Sequence, residues 1–268
     1  MGLAVCATPI GNLEDVTLRV LRELGEAGLV LCEDTRHTGR LLERHGISAR
    51  LVSYHEHNEA RRTREMLPRL LAGERIALVS DAGLPGVSDP GGRLIAAAVE
   101  AGVAVTVLPG PSAVETALVA SGFAGERYQF LGYLPRTERA RAALWSELER
   151  WPHPAVAFES PQRLPASLAS LAGALPEREI AVCRELTKRF EEVVRGTAAE
   201  VAGRFREPPR GEITLVLGGA PESPREGAAE AVAAVSELVA SGVSRRQAAD
   251  VVARLTGTSR NRLYRRSL

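Results

Sequence analysis

The stretch Arg75–Gly92, RIALVSDAGLPGVSDPGG, limits what this chain can fold into more than any other. Ile76–Val79 is an apolar, partly β-branched run. It stops at Ser80-Asp81, before Gly83, Pro85, Gly86, Pro90, Gly91 and Gly92. A run closed by such residues reads as a buried strand that ends in a long, shaped loop. Glycine lets backbone approach a ligand closely, and proline stiffens the approach. In open α/β sheets, ligands bind beyond the carboxyl ends of the strands. The same composition also serves a plain structural loop. Two further segments repeat the pattern: Val5–Asp15 with its Pro9-Ile10-Gly11 turn, and Val103–Leu108 followed by Pro109-Gly110-Pro111-Ser112-Ala113. Three strands ending in Gly/Pro turns within one half of the chain predict one composite pocket.

Strands and helices alternate along the first half, which predicts a mostly parallel sheet. Strands are expected at 3–7, 29–32, 50–54, 75–79 and 103–108. Helices are expected from about Asp15, up to Gly46, and over 58–72 and 92–101. Asp15 is a candidate N-cap, and Val16, Val20, Leu24 and Ala27 form an apolar stripe behind it. From Ala113 a crossover helix leads into a second set of elements. Strands are expected at 128–131, 155–158, 178–183, 192–195 and 212–217, with helices at 138–150, 162–172 and 198–205. Gly218–Pro224 reads as a linker. Beyond it, 227–240 and 244–255 are amphipathic and 258–266 forms a further helix, with Ser244 and Thr258 as caps; together they resemble a helix-turn-helix unit. The expected class is α/β: two α/β domains, 1–111 and 112–220, with a ligand cleft between them, plus a basic helical C-terminal domain, 221–268.

Composition excludes several classes. No apolar run is long enough to span a membrane, and the first residues lack the pattern of a secretory signal. Cys6, Cys32 and Cys183 are isolated, which fits buried thiols in a reducing cytoplasm better than disulfides or a zinc site. The net charge is only +1. The segment Val243–Leu268, however, carries seven arginines against Asp250 alone, a balance suited to RNA contact or to a solvated terminal helix. Among 34 basic residues Lys188 is the one lysine, in a composition that favours arginine throughout.

Nine blocks occur in order: TPIGNLEDVT, CEDTRHTGRLL, SYHEHNE, SDAGLPGVSDPG, LPGPSA, FLGYLPR, FESPQRL, CRELTKRFEE and GEITLVL. On them, residues 3–266 resemble the ribosomal RNA small subunit methyltransferase I family, of the tetrapyrrole methylase-like class. The resemblance implies S-adenosylmethionine (SAM) as methyl donor, 2′-O-methylation of a cytidine in small-subunit (16S) rRNA as the reaction, and a homodimer. It implies rRNA or the assembled small subunit as partner, and no metal. It places the donor against Pro9, Ile10 and Gly11; against Asp81, Gly83, Leu84 and Pro85; against Ser112 and Ala113; and against Phe158 and Thr214. Asp81 has the alternative role of capping a turn.

Methyl transfer from a sulfonium needs positioning and exclusion of water rather than a covalent intermediate. A ribose hydroxyl is a poor nucleophile and needs a base, or a cation that lowers its pKa. Lys188 is the expected group, oriented by Glu185; the alternative is a surface lysine in a salt bridge. Arg36 could hold an RNA phosphate as a bidentate donor, with a helix cap at Asp34 or Thr35 as the other reading. His55, Arg136, Arg163, Arg260 and Arg262 are further RNA-contact candidates, with surface charge as the alternative. His55-Glu56-His57 lacks a third metal ligand. Two rivals remain: a precorrin-type tetrapyrrole methylase on the same scaffold, and a ligand-sensing DNA-binding regulator that uses the helical tail.

Overall fold

The computed structural model describes residues 2–220, 228–256, 260, 263, 264 and 267. Two compact units divide the chain, one ending at Gly219 and one running from Ala220 onward.

The first unit contains two five-stranded sheets. The first sheet is built from β1 (Leu3–Cys6), β2 (Leu29–Cys32), β3 (Leu51–Ser53), β4 (Ile76–Leu78) and β5 (Val105–Leu108). All pairings are parallel and the strand order is β3-β2-β4-β1-β5. Its strands are apolar at successive positions because both faces are covered, as parallel sheets require. Leu3, Val5, Leu29, Leu31, Ile76 and Leu78 face α3 (Glu59–Leu71) and α4 (Gly92–Glu100). Their neighbours Ala4, Cys6, Val30, Cys32 and Ala77 face α1 (Leu18–Glu26) and α2 (Thr35–Arg44).

Asp15 does not cap α1. It closes a short 3₁₀ turn, Leu13–Asp15, and Thr17 is the cap: its hydroxyl accepts the Val20 amide at 3.2 Å. A threonine at that position can satisfy one of the free amides of the first turn, as an N-cap must. Asp34 caps α2 by accepting from the Arg36 amide.

The second sheet contains β6 (Gln129–Tyr133), β7 (Ala155–Glu159), β8 (Glu179–Arg184), β9 (Glu192–Thr197) and β10 (Ile213–Leu217), in the order β6-β7-β10-β8-β9. Only β6 and β7 are parallel; the other pairings are antiparallel. One face packs on α6 (Glu138–Leu148), α7 (Leu164–Ala174) and α8 (Ala198–Arg204), with Trp145, Leu168 and Leu215 fully buried. The other face meets α5 (Ala113–Ser121) through Val114, Ala117 and Leu118, and meets Ile10 from the first half. The α7 helix starts two residues later than expected because Ser160–Arg163 forms a turn, the Arg163 amide donating to the Ser160 carbonyl.

In the second unit, α9 (Ala228–Ala240) and α10 (Arg245–Thr256) share a small core of Ala231, Val235, Ala248, Ala249 and Val252, joined by Leu263. The Ser244 hydroxyl donates to Gln247 Oε1. The expected cap Thr258 and the arginines Arg262, Arg265 and Arg266 lie outside the described residues. No helix among the described residues is long and apolar enough to cross a membrane.

Candidate active site

The three Gly/Pro turns do converge. Thr8 and Gly83 exchange two backbone hydrogen bonds, Thr8 N–H to the Gly83 carbonyl at 2.8 Å and Gly83 N–H to the Thr8 carbonyl at 3.0 Å. The Thr8 hydroxyl donates to the Ser80 carbonyl. These bonds tie the loop after β1 to the loop after β4. The loop after β5 completes the wall with Pro109, Gly110, Pro111 and Ser112. The cavity that results measures about 830 Å³ and takes its far wall from the second sheet. Its volume lies within the range of small-molecule sites.

Of the eleven positions expected to hold the donor, Ile10, Asp81, Gly83, Leu84, Ser112, Ala113, Phe158 and Thr214 line this cavity. Phe158 and Thr214 arrive by register. Thr214 of β10 stands opposite Phe158 of β7 on one side and Cys183 of β8 on the other. One row across the sheet therefore presents three side chains to the same space. Pro9, Gly11 and Pro85 are not among the lining residues; Pro9 and Pro85 are buried within their loops. Gly11 has another reason for being glycine. A Cβ there would come within 2.6 Å of Lys188 Cγ and 2.7 Å of the Thr187 hydroxyl. The next residue, Asn12, donates its amide to that hydroxyl at 3.0 Å.

The Glu185–Lys188 loop is tightly built. Glu185 and Thr187 both have left-handed backbone, at φ 53° and 66°. Such conformations cost non-glycine residues about 1–3 kcal/mol each and persist where surroundings enforce them. The surroundings here are specific. Glu185 Oε1 accepts from the Glu212 amide and from Lys188 Nζ, the latter at 2.9 Å. Lys188 Nζ also donates to Glu212 Oε2 at 2.5 Å. Gly211, at φ 99°, leaves room for the Glu185 side chain, which a Cβ would strike. Burial disfavours the Lys188 ammonium, but the bonds to Glu212 and Glu185 outweigh it and carry its pKa upward. Glu185 is held down by the same bond to Lys188. Lys188 is thus a fixed cation behind the cavity-lining Glu212 and is poorly placed to take up a proton. Leu186, between them, lines the cavity.

Asp81 combines both expected roles: its Oδ1 accepts the Asp34 amide at 3.0 Å while the residue lines the cavity. Arg36 pairs with Asp34 at 2.9 Å and leaves 86% of its side chain exposed. Arg136 is exposed, and its carbonyl accepts from buried Arg141. His55 is half-buried with its ring 5.9 Å from that of His57. Among the described residues no cluster could hold a metal ion. Arg163, expected as an RNA contact with surface charge as the alternative, is held by partners inside the fold. It turns inward and bonds the fully buried Glu159 carboxylate at 2.5 Å and the Leu134 carbonyl at 3.2 Å. Glu159 also accepts from the Ser167 hydroxyl. Arg260 lies 4.0 Å from Asp250.

Several lining residues were not anticipated from sequence. Tyr128 lies just before β6, and Phe130 and Tyr133 lie on it, where only the FLGYLPR block signalled anything. Phe158 packs edge-on against Phe130 and Tyr133, with ring centroids 5.0 and 5.6 Å apart. Glu115 accepts hydrogen bonds from the Ser112 and Tyr128 hydroxyls. Asp89 lies in the SDPG segment. Among the described residues the lining includes five carboxylates, Asp81, Asp89, Glu115, Glu159 and Glu212, and no lysine, arginine or histidine. Burial holds the Cys183 thiol at about 11, so it is an inert part of the wall.

Comparison with known proteins extends the site to a family. Residues 2–202 match the family model of Tetrapyrrole (Corrin/Porphyrin) Methylases, and residues 225–268 match that of the RsmI C-terminal HTH domain. The chain is 46% identical over 195 residues to the ribosomal RNA small subunit methyltransferase I of Halalkalibacterium halodurans, covering 73% of this chain and 68% of that one. It is 50% identical over 194 residues to the protein of the same name from Micromonospora olivasterospora, covering 72% of this chain and 62% of that one. Among solved structures, a uroporphyrin-III C-methyltransferase from Thermus thermophilus, complexed with S-adenyl homocysteine, aligns over 82% of this chain and 98% of its own, with a TM-score of 0.56 at 19% identity. That likeness concerns the fold.

Proposed function

The chain belongs to the tetrapyrrole methylase family, in its ribosomal RNA small subunit methyltransferase I branch, and from that premise we propose that it transfers the methyl group of SAM to the ribose 2′-hydroxyl of a cytidine in small-subunit rRNA. The observation that carries the reading is the charge of the cavity. Among the described residues five carboxylates and no cationic side chain line it, while a fixed ammonium bonds Glu212. An acidic wall suits a donor whose reactive sulfur is positively charged, because attraction is strong where water is excluded. A tetrapyrrole bearing several carboxylates would meet repulsion there.

The residues fit such a donor. Ile10, Leu84, Phe130 and Phe158 offer apolar faces to a nucleoside base, and Asp81, Ser112 and Thr214 offer polar atoms to its ribose and amino-acid ends. When bound, SAM supplies an activated methyl group on sulfur. The protein holds the hydroxyl in line with that methyl and keeps water out. Lys188, kept charged by Glu185 and Glu212, stabilises the negative charge that develops on the hydroxyl oxygen. Glu185 acts as its positioning residue. Exposed Arg36 and Arg136, with Arg260 and Arg262 of the second unit, serve as phosphate contacts, and the working form is a homodimer.

The test is methyl incorporation from labelled SAM into small ribosomal subunits, and into naked rRNA, from cells lacking the enzyme. Incorporation into RNA supports the reading. Transfer to a tetrapyrrole with none to RNA would replace it.

A further inference from the structure

Lys188 is already protonated and doubly bonded, so the proton of an attacking hydroxyl must leave by another group. The cavity wall offers five carboxylates. Four are engaged. Asp81 accepts the Asp34 amide, Glu115 accepts two hydroxyls, Glu159 is paired with Arg163, and Glu212 is paired with Lys188. Glu115 also lacks a cation but has a backbone amide besides its two hydroxyls; Asp89 has the Ser80 side chain as its partner and, among the described residues, neither a cation nor a backbone amide. Its placement is enforced. Ser88, immediately before it, has left-handed backbone at φ 60°, and Ser88 Oγ lies 3.7 Å from where a Cβ on Gly132 would stand. Asp89 lines the cavity, and Ser88 brings it beside the Gly132–Tyr133 end of β6. The Tyr133 hydroxyl feels both Asp89 and Glu212.

We propose that Asp89 is the catalytic base, the cavity carboxylate that accepts the proton from the ribose hydroxyl as that oxygen attacks the methyl group. This inference rests on the methyl-transfer reading above. In the step, the hydroxyl oxygen forms a bond to the methyl carbon while the carbon–sulfur bond breaks. The electron pair stays on sulfur, which becomes a neutral thioether. The proton passes to the Asp89 carboxylate and then to water. The groups facing Asp89 favour this role. Glu33 after β2 and Asp81, earlier in the same loop after β4, are both carboxylates, and Tyr133 is a neutral phenol; Arg163, which also acts on Tyr133, is held by Glu159. Burial chiefly, with Glu33 and Asp81 adding repulsion and the Ser80 bond opposing, raises the Asp89 pKa to about 6. A base poised there is ionised at neutral pH yet basic enough to act.

The experiment compares wild type with Asp89→Asn in single turnovers of labelled SAM on small ribosomal subunits. Asp89→Asn is expected to lower the rate by about a hundredfold to ten-thousandfold, with SAM affinity by calorimetry changed by less than about threefold. The wild-type single-turnover rate is expected to rise with pH through the acid range and level near neutrality. In ligand-free protein, ¹³C-carboxyl NMR is expected to give Asp89 a midpoint near the raised value of about 6. An Asp89→Asn rate within about threefold of wild type would overturn the assignment. A flat wild-type profile from about pH 5 to about pH 8 would do the same, and it decides the matter if the variant does not fold. Failure of wild type to methylate any RNA would instead sink the reading beneath it.

Discussion

The two sheets of the first unit handle their faces differently, and the cavity follows from that difference. The first sheet is sealed on both sides, by α1 and α2 on one face and α3 and α4 on the other. Its function is confined to its strand ends. The second sheet is sealed by three helices on one face, while the other has α5 and then open space. There Phe158, Thr214 and Cys183 make a wall instead of a core. A parallel sheet thus supplies loops, and a mixed sheet supplies a surface.

Substitutions on either side of this division should behave differently, and the largest effects concern stability. Arg163→Ala leaves the buried Glu159 carboxylate without its cation and is expected to cost about 3–5 kcal/mol in denaturant unfolding. Arg136→Ala, on the exposed surface, should be nearly neutral and should weaken only RNA binding. Equal stability losses would show that Arg163 does not anchor the wall. On the sealed face, Leu215→Ala should cost about 2–5 kcal/mol while leaving the SAM affinity of the folded protein intact.

A kinetic loss of similar size is expected at the loop after β8. Lys188→Ala should lower the single-turnover rate by about a hundredfold to a thousandfold with little change in SAM binding. Full turnover would return Lys188 to the role of a structural salt bridge. Smaller effects belong to the cavity face. Phe158→Ala and Asp81→Ala should each weaken SAM binding by about tenfold, near 1.4 kcal/mol, when measured by calorimetry. If Asp81→Ala leaves the affinity unchanged, its bond to the Asp34 amide is its whole purpose.

The smallest effect is a pH slope. Asp89 holds its proton more tightly folded than unfolded, since its pKa is raised to about 6. Its contribution is therefore fully present at acid pH and is lost as pH rises through about 6. The melting temperature of Asp89→Asn should lack that component when compared with wild type over the same range.

Much of this could be read from the chain. Gly/Pro turns after apolar runs located three walls of the cavity, because backbone geometry is a local property. Asp15 misled for a local reason: a nearby threonine was the better cap. The far wall was harder to read. Phe158, Thr214 and Cys183 share a row only through antiparallel register, which no short segment encodes. Cys183 read correctly as a buried thiol, yet nothing local placed it beside a ligand. Arg163 read as an RNA contact or surface charge because its partner, Glu159, is an ordinary strand residue until folding buries it. Asp89 passed unnoticed among glycines and prolines, its basicity being a product of burial, of Asp81 in the same loop and of Glu33 brought near by β2.

The central claim is that the acidic cavity delivers a methyl group to a ribose oxygen. The most direct measurement is digestion of RNA labelled by this enzyme to nucleosides, followed by mass spectrometry. The account predicts label in 2′-O-methylcytidine. Label on a base, or none in RNA despite demonstrable SAM binding, would contradict it.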